Sequence, residues 1–270
     1  MAVPALSPTR SDRARIPHGF TVVDESEEYL VVDKPPFLLI HPSKPDGAPT
    51  LWAAVRELLA FEIVNGGQVS IVNRLDRETS GLVLIAKNSS AARRFGLLMQ
   101  QHRIAKEYLA IVRGWPEWDD TEVDAPLTRQ GAHQPSLIWL KQMIHVDGAR
   151  AVTQFRVEKR FTRKTNAGEK FSVVRTIPLT GRTHQIRVHL ASLGHPVVGD
   201  KIYGPDEKLY LRFIEHGWTD ELATKLLLPR HALHSTKLQI DERMTWSSRL
   251  PNDLDAWIKG GDELFSVDHF

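Results

Sequence analysis

The densest set of reactive side chains in this sequence is Asn73, Arg74, Asp76, Arg77, Glu78, Thr79 and Ser80, with Leu75 in their midst. Asp76 lies between two arginines. That arrangement suits a turn-capping carboxylate with surface ion pairs, or an ionised carboxylate held for chemistry by a neighbouring guanidinium. Directly after it runs Gly81-Leu82-Val83-Leu84-Ile85-Ala86, which has the length and composition of a buried strand. Gly81 at the junction permits a sharp turn or a close approach of one backbone to another. A core strand therefore carries a polar loop at its N-terminal end, which is how rigid scaffolds commonly hold reactive groups.

Two other stretches combine reactive residues with a strong local pattern. Lys106, Tyr108, Ala110 and Val112 alternate with Glu107, Leu109, Ile111 and Arg113, which predicts a strand with Lys106 and Tyr108 on one face. From Pro178 to Leu190 a glycine turn leads into a helix, with Thr183 as the expected N-cap and Ile186, Leu190 and Leu193 as its inner stripe. Gly194 is the expected C-terminal glycine, and Arg187 sits one turn into the helix on a rigid element.

The string NRLDRETSGLVLIAKN resembles the signature around the catalytic aspartate of the RluA-type pseudouridine synthases, which isomerise uridine in RNA. Asn73 stands where that family often has histidine. Lys106, Tyr108, Ala110, Val112 and Gly114 resemble a second signature of the family, and Thr180 to Arg187 a third, continued by Gly194 to Asp200 and Tyr203-Gly204. The opening Asp33-Lys34-Pro35-Pro36 is similar too, with Phe37 where glycine is usual; that change implies a less bent backbone or a different contact. Lys34 and His41 are candidates for facing RNA. Leu233-His234-Ser235 stands where the family commonly has Leu-His-Ala, and the matching blocks run from about Val22 to Ile240. The family's optional S4-type RNA-binding domain is expected to be missing.

The resemblance implies a mixed α/β (α+β) fold, a bent, largely antiparallel sheet flanked by helices with a cleft across its middle. It implies conversion of specific uridines in structured RNA, ribosomal or transfer RNA, to pseudouridine. Asp76 would be the catalytic carboxylate, Tyr108 would lie against the uracil ring, and Arg187 rather than the adjacent Arg74 would pair with Asp76. Breaking the glycosidic bond, rotating the base and joining C5 to the sugar involves neither redox nor net hydrolysis, so no cofactor is expected. Ionised Asp76 could attack C1′, attack C6 of the base, or take the 2′-hydrogen; all three stay open. The uridine must leave its helix or loop to be reached. Arg74 is a candidate phosphate contact or wedge, and Leu75 and Val188 could hold the ring. His184 and Gln185 lie where a helix N-terminus favours phosphate, and Thr79 and Lys106 complete the expected substrate-binding set.

Composition narrows the alternatives. The 270 residues include no cysteine, which excludes disulfides, thiolate nucleophiles and cysteine-ligated zinc. His184 and His189 are five apart, His231 and His234 three apart, and no HExxH occurs, so no metal is expected. The first twenty residues lack an apolar signal core and no run of eighteen apolar residues exists, so a cytoplasmic, monomeric protein without a membrane span is expected. Net charge is +2, but Pro251 to Phe270 hold five acids and one lysine, a local −4 that leaves +6 on the preceding 250 residues. A basic body with an acidic end suits a polyanion binder. The expected layout is a flexible basic tail over 1–18, one catalytic domain over 19–250 and an acidic segment over 251–270. The competing readings are an RNA-binding or RNA-folding protein of the same fold with little catalysis, and an unrelated hydrolase with an aspartate nucleophile.

Around these blocks, the patterns predict strands at Thr21–Val23 and Tyr29–Val32 and a helix over Thr50–Ala60, capped by Thr50, with Leu51, Val55, Leu58 and Leu59 inward. A second helix follows Asn88, with Ala91, Phe95, Leu98 and Met99 on one face. A short strand is expected at Leu137–Leu140. Ala151–Val157 and Phe171–Arg175 form a hairpin whose basic connection, Glu158 to Lys170, could be a solvated tip or a phosphate contact. Asp206 to Pro229 is helical and broken at Gly217, and a last strand starts at Arg230.

Overall fold

Valine- and isoleucine-rich runs, free of interior proline, pair into one ten-stranded sheet, while amphipathic stretches between them close over its faces. The structure, a computed structural model, describes residues 19–42 and 49–260. The expected basic tail over 1–18 and the last ten residues of the acidic segment lie outside the described residues.

In chain order the elements begin with β1 (Thr21–Glu25), β2 (Tyr29–Lys34), α1 (Leu51–Leu58), α2 (Ala60–Val64), β3 (Ser70–Ile71) and β4 (Ser80–Ala86). There follow α3 (Ser89–Gln100), β5 (Ala105–Arg113), β6 (Asp120–Asp124), β7 (Leu127–Arg129), β8 (Gln142–Ile144), β9 (Val152–Thr165) and β10 (Gly168–Pro178). The described residues close with α4 (Gln185–Ser192), α5 (Lys208–His216), α6 (Asp220–Leu226), β11 (Leu233–Gln239), β12 (Thr245–Ser247) and α7 (Asn252–Lys259). The main sheet has the order β1-β2-β4-β11-β5-β10-β9-β6, with β3 beside β4 and β12 beside β11; β7 and β8 form a separate pair. Among the described residues β4–β11 is the one parallel strand pair. The fold is thus the expected mixed α/β type around a largely antiparallel sheet.

Strand β4 explains its own sequence. Leu82, Leu84 and Ala86 pack with Ala91 and Phe95 of α3, while Val83 and Ile85 pack with Leu51 and Val55 of α1. A strand covered on both faces reads as a continuous apolar run rather than an alternation. Thr50 caps α1 by accepting from the Ala53 amide, and Asn88 caps α3 by accepting from Ala91.

Several local expectations are corrected. Leu58 is 40% exposed, and Ala54 takes its place in the buried stripe of α1. Residues 60–64 form the short α2. Leu137–Leu140 is a turn: Ile138 is buried, and Trp139 stays outside beneath the Arg129 guanidinium. The connection from Glu158 to Lys170 is mostly strand, since β9 and β10 run on to a turn at Asn166-Ala167. β11 starts at Leu233 because Arg230 and His231 are drawn inward by side-chain partners. The packed body also continues past Leu250: α7 buries Leu254 and Trp257, and its Asp253 receives two hydrogen bonds from Arg230. Phe37 does not relax the bend where glycine is usual. It keeps a left-handed φ of 67°, a conformation that is unfavourable for a bulky side chain.

Gly81 does both things its position allowed. Its φ is +113°, and a Cβ there would lie 2.3 Å from the carbonyl oxygen of Ser235 on β11. We expect Gly81→Ala to destabilise the fold by about 3 kcal/mol or more, combining backbone strain with overpacking. Chemical denaturation of the two proteins checks this; an unchanged midpoint would refute the close-approach argument.

Candidate active site

Asp76 opens the turn that leads into β4, and the amide of Thr79 closes that turn on the Asp76 carbonyl at 3.1 Å. The loop is held from both sides. Asn73 behaves like an extra stretch of backbone: its Nδ2 donates to the Leu82 carbonyl and its Oδ1 accepts from the Leu84 amide. Lys34 is fully buried, and its ammonium donates to the carbonyls of Pro35, Leu38 and Arg77 at 2.8, 2.9 and 3.2 Å. It braces the loop rather than facing RNA. Burial, with Arg230 nearby, lowers its pKa to about 7.

Arg187 on α4 is the partner of Asp76. Its Nη1 donates to Asp76 Oδ2 at 2.9 Å, while Nε and Nη2 fork onto Asp200 at 2.6 and 2.8 Å. Asp200 is fully buried and also accepts from the amides of Ile202 and Tyr203, both at 3.0 Å. Burial alone would raise both carboxyls, but the facing positive charge wins and each is held below its usual value. His184 approaches Asp76 Oδ2 at 4.0 Å. Its own pKa is pushed down to about 4 by burial and by Arg187, so at neutral pH the positive charge beside Asp76 is that of Arg187. The Asp76 side chain is 31% exposed, and its Oδ1 has no hydrogen-bond partner among the described residues.

The helix start that delivers Arg187 differs from expectation. Thr183 is not the cap; His184 occupies that position in a left-handed conformation with φ 57° and no side-chain cap. The Gln185 side chain shapes the turn instead, accepting from the Arg182 amide and the Thr180 hydroxyl and donating to the Val152 carbonyl and Thr153. The amide of Gln142 donates to the Tyr203 oxygen, leaving the phenol proton for His184 Nδ1 at 2.8 Å. That assignment turns the N–H at Nε2 of His184 toward Asp76.

Tyr108 is buried on the face of β5 shared with Lys106. Burial, reinforced by the Asp76 charge and opposed by Ser235, raises its phenol to about 12. Leu75 belongs to the same core cluster as Tyr108, whereas Val188 packs with Tyr203 in another. Lys106 is buried with no hydrogen-bond partner among the described residues, and Arg74 is exposed and likewise without one. Thr79 is turned inward, its hydroxyl 2.7 Å from Nε2 of His231. Gln185 and Thr79 are thus engaged by the protein, and His184 is held by Tyr203 at 4.0 Å from Asp76.

The sequence reading gave no role to Asp200, Tyr203, Glu78, Lys201 or His231. Glu78 accepts from Lys201 at 2.7 Å and from the His231 amide at 3.2 Å. Asp200 sits in a glycine-flanked turn after α4, and an acid at that place was the available signal. The histidines weighed for metal spacing are engaged elsewhere: His189 bonds Thr153 and the Ala125 carbonyl, and His234 bonds Ser80 and Ser248. Outside the site His133 and His145 stack at 3.8 Å with Asp147 nearby, a grouping that spacing did not single out. No helix among the described residues is long and apolar enough to cross a membrane.

Comparison with known proteins gives a consistent picture. The family described as RNA pseudouridylate synthase matches residues 28–192. A ribosomal large subunit pseudouridine synthase D of Pseudomonas aeruginosa is 35% identical over 245 residues, 88% of this chain and 70% of that one. Its namesake in Nitrosomonas europaea is 32% identical over 246 residues, covering 88% and 64%. A dual-specificity RNA pseudouridine synthase RluA of Vibrio parahaemolyticus is 35% identical over 187 residues, covering 69% and 70%. The chain therefore spans 64–70% of the length of these relatives. Among solved structures, human RNA pseudouridylate synthase domain containing 4 superposes with a TM-score of 0.66 at 21% identity, covering 88% of this chain and 91% of that one. That likeness concerns the fold.

Two outcomes follow from the site's electrostatics. Asp200→Ala leaves a buried guanidinium short of a counter-charge and should destabilise the protein by about 3–5 kcal/mol, read by denaturant titration. Glu78 is held down to about 2 because Lys201 and His231 outweigh its burial. Its contribution is complete above the ordinary carboxyl value of 4.5 and disappears as pH falls from there toward about 2. Over that window the stability of Glu78→Gln should fall less steeply than that of the wild type; parallel curves would refute the assignment.

Proposed function

The chain belongs to the RNA pseudouridylate synthase family, and from that premise we propose that it isomerises specific uridines in structured RNA to pseudouridine, with Asp76 as the catalytic carboxylate. The observation that carries this reading is the asymmetry of Asp76. One carboxylate oxygen is held by Arg187, and the other has no hydrogen-bond partner among the described residues, on a side chain that is still partly exposed.

The reaction breaks N1–C1′, forms C5–C1′, releases the C5 proton and leaves a proton on N1, so the product is an isomer of the substrate. Each route open to Asp76 needs its ionised form, which Arg187 favours. With Oδ2 tied at 2.9 Å, Oδ1 is directed to C1′, to C6 or to the 2′-hydrogen. Tyr108 lies against the uracil of a nucleotide that has left its stack, a step that costs about a few kcal/mol of lost stacking. Leu75 supplies an apolar side to the turning ring. Arg74 and Lys106, whose side chains have no hydrogen-bond partner among the described residues, face the phosphates, and His184 stands 4.0 Å from the same Asp76 oxygen that Arg187 holds. A binding protein without catalysis would have no use for a carboxylate half-clamped in this way.

The substrate class favoured is ribosomal RNA, because two of the relatives named above are ribosomal large subunit enzymes; transfer RNA is read by the same assay. The protein then works in the cytoplasm. In cells lacking the gene, single-nucleotide pseudouridine mapping should show one or a few sites lost, restored by wild type and not by Asp76→Asn. With purified protein, Asp76→Asn should lower turnover by about 10²–10⁴-fold, the scale of losing a positioned base or nucleophile, while RNA binding persists. Turnover within about twofold of wild type would sink the assignment.

A further inference from the structure

His184 is held in the left-handed region of backbone space, with φ 57° and ψ 13°. Such a conformation is unfavourable outside glycine, and it persists where surrounding contacts over-determine it, commonly beside a functional group. The His184 side chain is 8% exposed, and its Nε2 stands 4.0 Å from Oδ2 of Asp76. The other ring nitrogen, Nδ1, is 2.8 Å from the Tyr203 oxygen, which already accepts from the Gln142 amide at 2.8 Å. Tyr203 therefore donates to Nδ1, and the imidazole proton sits on Nε2. At neutral pH the ring is uncharged, because burial and Arg187 hold its pKa near 4. A donor fixed in tautomer and orientation thus meets a carboxylate oxygen across a gap too long for a hydrogen bond. Among the described residues nothing accepts from it.

Few chemical groups fit between these two. A separation of 4.0 Å is bridged by one oxygen about 2.8 Å from each atom. That oxygen must accept from the imidazole N–H and also face an ionised carboxylate. A carbonyl or phosphate oxygen does the first, but it turns lone pairs or negative charge toward Asp76. The phosphate expected at this helix start is disfavoured for that reason. A hydroxyl does both: its oxygen accepts from Nε2, and its proton goes to Oδ2, which has a lone pair left beside the bond from Arg187. Within an RNA chain the 3′ and 5′ oxygens of a nucleotide carry phosphates, so the 2′-hydroxyl is the one hydroxyl its sugar offers. It lies two bonds from C1′, the atom that exchanges its bond to the base.

We infer that His184 reads the sugar: together with Oδ2 of Asp76 it binds the ribose 2′-hydroxyl of the target uridine and selects against deoxyribose. This rests on the proposed isomerisation at Asp76 and gives that site its sugar specificity. The 2′-hydroxyl is the group by which a protein tells RNA from DNA at one position. A deoxyribose would leave the N–H and the carboxylate oxygen without the group that joins them, and unmade hydrogen bonds at a buried site are costly. Oδ1 stays available for the reaction, and neither hydrogen bond makes or breaks a covalent bond.

The test pairs two substrates with full-length proteins. An oligoribonucleotide spanning a mapped target site carries either uridine or 2′-deoxyuridine at that one position. His184→Phe should lower kcat/KM about five- to tenfold on the ribose substrate and less than about twofold on the deoxy one, the coupling of one hydrogen bond. His184→Gln, which returns an N–H donor near the place of Nε2, should regain most of the ribose preference. A His184→Phe protein that slows both substrates alike overturns the inference and leaves the activity standing. So does a wild type that turns over both equally, a result that needs no folded variant. A wild type that makes no pseudouridine on any RNA overturns the activity instead. The sugar is then tested by titrating uridine 5′-monophosphate and 2′-deoxyuridine 5′-monophosphate into protein carrying ¹⁵N-labelled histidine. Tighter binding of the ribonucleotide with a shift of the His184 Nε2 resonance supports the inference; equal affinities, or no binding, overturn it.

Discussion

A guanidinium that is 4% exposed must be answered by charge, and Arg187 is answered twice. Removing a cation from water is costly unless carboxylates and hydrogen bonds replace its hydration. Asp200 supplies most of that replacement by taking the fork of the guanidinium, and the Ile202 and Tyr203 amides hold Asp200 in turn. What is left for Asp76 is one N–H and a share of the charge. If Asp76 alone met the fork, both its oxygens would be bound and neither would be available to a sugar or a base. The spare carboxylate is therefore as important as the reactive one.

The same economy of buried charge surrounds the whole loop. Lys34, Arg187, Lys201 and Arg230 are all buried, and each reaches into residues 76–78: the Asp76 and Glu78 carboxylates and the Arg77 and Glu78 carbonyls. Asp76, Glu78, Asp200 and Asp253 provide the matching negative charge. A loop in these surroundings has little freedom to refold locally, because any shift strands a cation in a medium of low polarity. Rigidity here comes from buried ion pairs, in a sequence that has no cysteine for a disulfide.

Much of this was legible because it is local. An unbroken apolar run such as Gly81 to Ala86 has few ways to exist other than as a doubly covered strand, and the alternation from Lys106 to Val112 has one face. Tyr108 and Arg187 became site candidates through resemblance; the alternation alone placed Tyr108 on one face of a strand and gave it no role. The illegible part depends on chain separation. That Thr79 faces His231, or that Arg230 meets Asp253 in what reads as an acidic tail, is set by residues tens to hundreds of positions away. The one failed cap has a similar cause: Thr183 has the right chemistry, but the Gln185 side chain, anchored on β9, already satisfies the turn. Phe37 shows the opposite case, where surrounding structure overrides a residue's own preference.

The parallel pairing of Ser80 and Gly81 with His234 and Ser235 also imposes an order in time. As the chain leaves the ribosome, β2 and β4 can zip together early, since they are close in sequence. On the other flank β3 and Asn73 already cover residues 82–86, but the Ser80–Gly81 end stays open until β11 has been made, and Arg230 finds Asp253 only once α7 has followed. A nascent chain therefore carries its aspartate long before it carries a pocket. Contacts of such long sequence separation form slowly, so the pocket around Asp76 waits for segments made more than a hundred residues later.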